Sequence, residues 1–208
     1  MNDVHQIVRN TYNHIAEKYY QRYHKYSPFF LKFSKIFLKL LPERATILDL
    51  GCGPGRDAKY FSLEGYEVIG VDFSGNMLKI ARKIAPNANF LKQDLRKINF
   101  PANSFYGIWC SFTILHLERD ELPRLLKLLE KVLKKNGILF IATKLGEGEQ
   151  ILKENLDTSL AIFETYFSKK EMETLLKGVG FKLLLTDSGF YDRFESDDNI
   201  LVVLAQKS

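Results

Sequence analysis

The 208-residue chain carries 30 Lys and Arg against 25 Asp and Glu, a formal charge of +5, with 46% hydrophobic and 26% charged residues. That balance is ordinary for a globular protein, and the length suits one sizeable core better than two independent domains. Two cysteines are too few for a disulfide framework or a Cys-based zinc site, no apolar run nears the ~20 residues of a membrane-spanning helix, and no basic-then-apolar leader opens the chain, so a cytoplasmic location is expected, with no membrane partner.

Residues 1–42 read as helical and are expected to form an N-terminal cap, in which Tyr12 and Tyr19 share one helical face. Lys32, Lys35 and Lys39 form one basic row, and Lys127, Lys131, Lys134 and Lys135 another; both read as solvated helix faces rather than a nucleic-acid surface. Thr46–Leu50 is a short apolar strand, followed by Gly51-Cys52-Gly53-Pro54-Gly55 and a helical stretch through Phe61. A strand at 68–71 ends in Asp72, and Ser74 is placed to cap a helix with Met77, Leu78, Ile80 and Ala81 on its apolar side. Strands at 89–91 and 106–110 come next. Leu122, Leu125, Leu126, Leu129, Val132 and Leu133 repeat at helical spacing, Asn136-Gly137 is expected to stop that helix, and 138–142 is a fifth strand. Residues 144–167 are an insertion expected to act as a lid, Ser168 caps a further helix with Met172, Leu175 and Leu176, and strands at 181–185 and 200–205 are joined by the polar, turn-rich stretch 187–199.

Strands separated by helices require crossover connections, so the early strands are expected to be parallel and covered on both faces. The predicted fold is α/β: a seven-stranded, mostly parallel sheet with helices on both faces and an antiparallel C-terminal edge hairpin, in a single domain spanning 1–208.

The segment Ile47-Leu48-Asp49-Leu50-Gly51-Cys52-Gly53-Pro54-Gly55 places glycines between a strand and a helix, where the backbone turns tightly and approaches a ligand closely. A dinucleotide fingerprint would need glycine at 56; Arg56 stands there, which disfavours a pyrophosphate cradle and a hydride-transferring dehydrogenase. Asp72 ends the next strand, where a carboxylate accepts the hydroxyls of a ribose.

These residues resemble the motifs of class I S-adenosylmethionine-dependent methyltransferases, which have a Rossmann-like fold. Asp49-Leu50-Gly51-Cys52-Gly53-Pro54-Gly55 looks like their first motif, Val71-Asp72-Phe73-Ser74 followed by Met77-Leu78 their second, and Phe90-Leu91-Lys92-Gln93-Asp94-Leu95 their third. Phe105-Tyr106-Gly107-Ile108-Trp109-Cys110-Ser111 is similar to the fourth, and Leu133 to Leu139 to the glycine turn before their fifth strand. The resemblance implies S-adenosyl-L-methionine as cofactor. It places the backbone of Gly51, Gly53 and Gly55 beneath the amino acid and ribose, with Cys52 and Arg56 in the same turn. Asp49 faces the ammonium, Asp72 the ribose with Phe73 and Met77 beside it, Asp94 and Leu95 the adenine, and Ser111 or the Cys110 carbonyl the amino-acid end. Tyr12 and Tyr19, in a segment similar to the family's opening helix, would turn their faces to the sulfonium or simply pack that helix.

His116 follows the fourth strand and is a candidate general base or a structural histidine; Asp57 is placed to favour the helix dipole. Methyl transfer from a sulfonium is an in-line displacement, so alignment and exclusion of water suffice and no metal is expected. A small-molecule acceptor is favoured by the 144–167 insertion; a tRNA or protein acceptor, or a non-catalytic cofactor-binding protein, are the alternatives.

Overall fold

The computed structural model describes residues 3–191 and 199–208. Helices α1 (Val4–Tyr23) and α2 (Pro28–Lys39) precede strand β1 (Thr46–Leu50), which leads through α3 (Arg56–Leu63), β2 (Glu67–Asp72) and α4 (Gly75–Ile84) to β3 (Asn89–Lys92). Then come β4 (Phe105–Ser111), α5 (Leu122–Val132), β5 (Leu133–Lys144), β6 (Glu149–Glu154), β7 (Asp157–Thr165), α6 (Lys169–Gly178), β8 (Phe181–Phe190) and β9 (Asn199–Lys207). The seven-stranded sheet has the order β3-β2-β1-β4-β5-β9-β8; β1 to β5 pair in parallel, and β9 runs antiparallel to both of its neighbours. The expected hairpin therefore forms, with its second strand inserted inside the sheet and β8 left at the edge.

The continuous apolar strands are explained by two cores. Leu48, Leu50, Ile108 and Cys110 point to one face, against the leucine row of α5 and Met172 and Leu176 of α6. Ile47, Trp109 and Phe140 point to the other, against Phe30, Phe33 and Phe37 of α2, Phe61 of α3 and Leu78 of α4. Trp109 and Phe140 stack with ring centroids 3.8 Å apart. Each such side chain taken fully from water contributes about 1.5–3 kcal/mol before entropy is charged against it. Local capping agrees with this packing: the side chains of Ser27, Ser74 and Ser168 accept from backbone N–H groups of the helices they open, and Pro28 occupies the first turn of α2.

The structure departs from the sequence expectation in four places. Helix α5 stops at Val132, and Asn136-Gly137 lies inside β5 rather than at a helix end. Asn136 has a φ of 63°, the β4–β5 register shifts there, and a Cβ on Gly137 would stand 2.8 Å from the Lys134 carbonyl, so the pair makes a bulge. Lys134 and Lys135 accordingly belong to a strand. Within the segment 1–42 expected as an N-terminal cap, the phenylalanines of α2 are integral to one core. The insertion is an antiparallel β6–β7 hairpin, and Phe167, expected in the lid, is fully buried in the other core. Finally, β8 and β9 extend into the stretch expected to be a turn, as far as Phe190 and back to Asn199; the rest of that turn, 192–198, lies outside the described residues.

Candidate functional site

Parallel strands deliver their carboxyl ends to one rim, and β1, β2 and β4 end there in Leu50, Asp72 and Ser111. After β1 the chain turns with φ of 72° at Gly51 and 51° at Gly53, conformations that cost a side-chain-bearing residue dearly. The N–H groups of Gly51 and Cys52 donate to the Val71 carbonyl at 2.8 and 3.0 Å. The three glycines have different reasons. A Cβ on Gly51 would meet the Thr113 side chain at 2.3 Å, and one on Gly55 would meet Ala81 at 2.8 Å, whereas one on Gly53 would enter open space.

That space is a cavity holding about 720 Å³ of void, its open mouth included. Tyr12, Tyr19, Gly51, Gly53, Asp72, Phe73, Met77, Asp94, Leu95, Ser111 and His116 line it, and Asp49, Cys52 and Arg56 line an adjoining recess shared with Gly51, Gly53, Tyr19 and Ser111. The structure thus gathers most of the expected residues. Gly55 and Cys110 are not among the lining residues: Gly55 serves the close approach of the α3 N-terminus to α4, and the Cys110 side chain is fully buried in a core, its thiol pushed up to about 12 by burial, which leaves only its carbonyl for the expected role.

Three carboxylates surround the cavity in different electrical states. Asp49 is buried, one of its oxygens, Oδ2, has no hydrogen-bond partner, and burial followed by the nearby Asp57 charge holds its carboxyl well above the usual range. A buried oxygen with no donor is costly and suits a cationic or hydrogen-bond-donating guest. Asp72 accepts from the N–H of Gly53 at 3.0 Å and of Ser74 at 2.7 Å; burial raises it to about 6, against the pull of those N–H groups. At Asp94 burial pushes upward, but the Arg96 guanidinium and backbone N–H, bonded to both carboxylate oxygens, hold it below its ordinary value.

The walls are completed by Val71, Gln93, Phe112 and Thr113, neighbours of the motif residues, and by His5 from the start of α1. Thr113 Oγ1 donates to the Leu50 carbonyl at 2.9 Å and backs Gly51. His5 lies 3.0 Å from Glu121, across the mouth, and Arg96 ties Glu121 to the Asp94 side at 3.3 Å. Asn13 anchors α1 to the start of α4, accepting from Ser74 Oγ at 2.9 Å, and Arg56 donates to the Tyr23 carbonyl at 3.2 Å. No local pattern marks His5, Asn13 or Thr113 for these contacts, because each acts through a partner far along the chain. Asp57 does more than favour the dipole of α3: it accepts from Trp109 Nε1 at 2.9 Å and from Arg56 Nε.

A second cavity shares Tyr12, Tyr19, Phe112 and His116 with the first; Tyr23, Leu115, Lys144, Glu154, Asn155 and Glu164 form the rest of it. Here Tyr12 Oη lies 2.8 Å from His116 Nε2, and His116 Nδ1 lies 2.8 Å from the Phe163 carbonyl of β7. Lys144 donates to Glu164 at 2.9 Å, both largely buried.

Residues 47–137 match the methyltransferase-domain family. The chain is 30% identical over 105 residues to a malonyl-[acyl-carrier protein] O-methyltransferase of Enterobacter lignolyticus, a match covering 50% of this chain and 41% of that one. It is 31% identical over 109 residues to the 2-methyl-6-phytyl-1,4-hydroquinone methyltransferase of Synechocystis, covering 50% and 34%. The chain thus spans less than half the length of these curated relatives. Among solved structures, a SAM-dependent methyltransferase of Methanosarcina mazei superposes with a TM-score of 0.75 at 20% identity, over 83% of this chain and 96% of that one. The 1,6-didemethyltoxoflavin-N1-methyltransferase of Burkholderia thailandensis does so at 0.70 and 18%, over 100% and 92%. At such identities the superpositions establish the fold, and no helix among the described residues is long and apolar enough to cross a membrane. The motif order, the sheet topology and the matched segment agree: residues 47–137 are similar to a methyltransferase domain, set in the Rossmann-like fold of the solved methyltransferases.

Proposed function

We propose that this protein binds S-adenosyl-L-methionine in the first cavity and transfers its methyl group to a small molecule held in the second. The observation that carries the reading is the pairing of two carboxylates around the glycine turn: Asp49, buried and with an orphaned oxygen, and Asp72, half-buried at the end of β2. An amino acid's ammonium supplies the donor Asp49 lacks, and a ribose diol suits the outward side of Asp72. Gly53 leaves the space a close-lying ligand needs, and the methyl donor's sulfonium, when bound, supplies an already activated carbon. The donor set therefore fits the cofactor.

In this reading Gly51, Gly53, Asp49, Cys52, Arg56 and Ser111 surround the amino-acid end, Asp72, Phe73 and Met77 the ribose, and Asp94 and Leu95 the adenine. Tyr12 and Tyr19 cover the ligand from α1, excluding water and offering ring faces to positive charge. The small-molecule acceptor is supported by a second cavity lined by residues of α1 and of the β6–β7 hairpin. The relatives named above act on an acyl-carrier-bound malonyl group and a hydroquinone, and a structural neighbour on a toxoflavin precursor. Two buried, unbridged thiols fit a reducing compartment, the cytoplasm. Calorimetry with S-adenosylmethionine, S-adenosylhomocysteine and NAD tests the assignment; binding of NAD without either of the others would overturn it.

A further inference from the structure

Resting on the methyl-transfer reading, we propose that the acceptor is an aromatic hydroxyl compound, a phenol, and that His116 and Tyr12 together accept the proton it loses.

The tautomer of His116 is set by its surroundings. The Phe163 carbonyl has no proton to give, so the 2.8 Å contact at Nδ1 puts the imidazole N–H there. In the neutral ring the lone pair is then at Nε2, where it accepts from Tyr12 Oη at 2.8 Å. Strand β7 thus fixes the ring from behind, and its basic nitrogen faces the wall common to the two cavities. A methyl group passing from one cavity to the other crosses at this wall, beside an imidazole nitrogen able to take a proton.

That arrangement selects among nucleophiles. A neutral amine attacks with a free lone pair and needs no base beforehand, whereas a hydroxyl becomes a strong nucleophile only as its proton leaves. The remaining lining points to an aromatic carrier. Tyr19, Tyr23 and Phe112 line the second cavity with aromatic rings that suit a flat guest, and the Lys144–Glu164 pair adds a polar contact for a second substituent.

The step balances as follows in atoms. An oxygen lone pair of the phenol forms the bond to the methyl carbon, the carbon–sulfur electron pair returns to sulfur, and the phenolic proton goes to His116 Nε2. It travels through Tyr12 Oη, which hands its own proton to Nε2 as it receives the phenol's. The imidazolium keeps its Nδ1–H on Phe163 and gives the Nε2 proton to solvent once the product has left.

The test uses protein saturated with S-adenosylhomocysteine and p-nitrophenol as a probe whose ionisation is visible as a yellow colour. Nitrogen-15 spectra should show His116 as the Nδ1–H tautomer, and bound p-nitrophenol should be ionised at a pH where most of it is protonated in water. At S-adenosylhomocysteine concentrations that calorimetry shows to saturate each variant, His116→Asn should lose the colour and Tyr12→Phe should fall between. With radiolabelled methyl donor, a panel of mono- and dihydroxybenzenes should contain substrates, and His116→Asn should lower kcat on the order of 10²–10⁴-fold. An Nε2–H tautomer, equal ionisation in His116→Asn, or no phenol bound or methylated would each overturn the proposal. Failure of S-adenosylhomocysteine itself to bind would instead overturn the cofactor assignment, so the two failures are separable.

Discussion

The backbone N–H of Gly53 donates to Asp72 Oδ2 at 3.0 Å, so the turn that ends β1 and the acid that ends β2 hold each other in place. One carboxylate oxygen is committed to the loop and the other to the N–H of Ser74, at 2.7 Å, which leaves the outer lone pairs facing the cavity.

Asp72→Ala should weaken S-adenosylhomocysteine binding by about 1.5–3 kcal/mol, the worth of a charge-assisted hydrogen bond in a desolvated site. Lys131→Ala, on an exposed part of α5, should leave it unchanged. Calorimetry on both variants decides: equal affinities would show that Asp72 does not read the ribose.

Binding should also depend on pH in a direction set by the same group. Asp72 titrates at about 6, and a ribose diol donates to its ionised form, so affinity should rise as the pH passes upward through about 6. One unit below that, affinity should be about tenfold lower if ionisation is required. Stability of the free protein should run the other way. A carboxyl raised from 3.8 to about 6 binds its proton more tightly when folded, so its contribution is greatest at low pH and is lost as pH rises between those values. Asp72→Asn should flatten the binding profile in this window; if the profile persists unchanged, Asp49, which is raised as well, carries it.

The glycines should separate folding from binding. Gly51→Ala drives a methyl into Thr113 at 2.3 Å in a left-handed turn, and should lower the denaturation midpoint by more than Gly53→Ala. Gly53→Ala strains only its φ of 51°, costing about 1–2 kcal/mol, but points its methyl into the cavity. It should keep most of its stability and lose most of its ligand affinity, as urea melts and titrations on the same preparations would reveal. The reverse ranking would mean that the ligand lies elsewhere.

Trp109→Phe keeps the stack on Phe140 and removes the donor to Asp57, at 2.9 Å. A buried carboxylate oxygen left without that partner should cost about 1–3 kcal/mol in urea denaturation. A variant as stable as the parent would show that Arg56 alone satisfies Asp57.

Helix α1 and the hairpin should protect one another. Thr11 Oγ1 donates to the Ala161 carbonyl at 2.6 Å, Val8 packs with Ile162 and Phe163, and Tyr12 meets His116 with ring centroids 5.2 Å apart. These contacts are few beside those of the sheet, which places both segments at the low-stability end of the molecule. Adding S-adenosylhomocysteine should slow hydrogen exchange in 4–23 and 149–165 together. Slowing in α1 alone would show that the hairpin is fixed scaffold.

The local features that position the site were legible in the sequence: the strand before the glycine turn, the acid after the second strand, the Ser74 cap and the leucine row of α5. Each depends on a short-range rule, the period of a helix, the reach of a cap or the backbone freedom of glycine, and such rules act over a few residues. Asn136-Gly137 shows the limit, since the same dipeptide ends a helix or bulges a strand, and the neighbouring β4 decides which. Only the tertiary structure joined Tyr12 to His116, 104 positions apart, set the His116 ring with a carbonyl 47 positions further on, and slotted β9 between β5 and β8. Periodicity says which face of an element is apolar. It does not say which other face will cover it, and that choice is made by packing, where long-range contacts must repay the entropy of closing the chain between them.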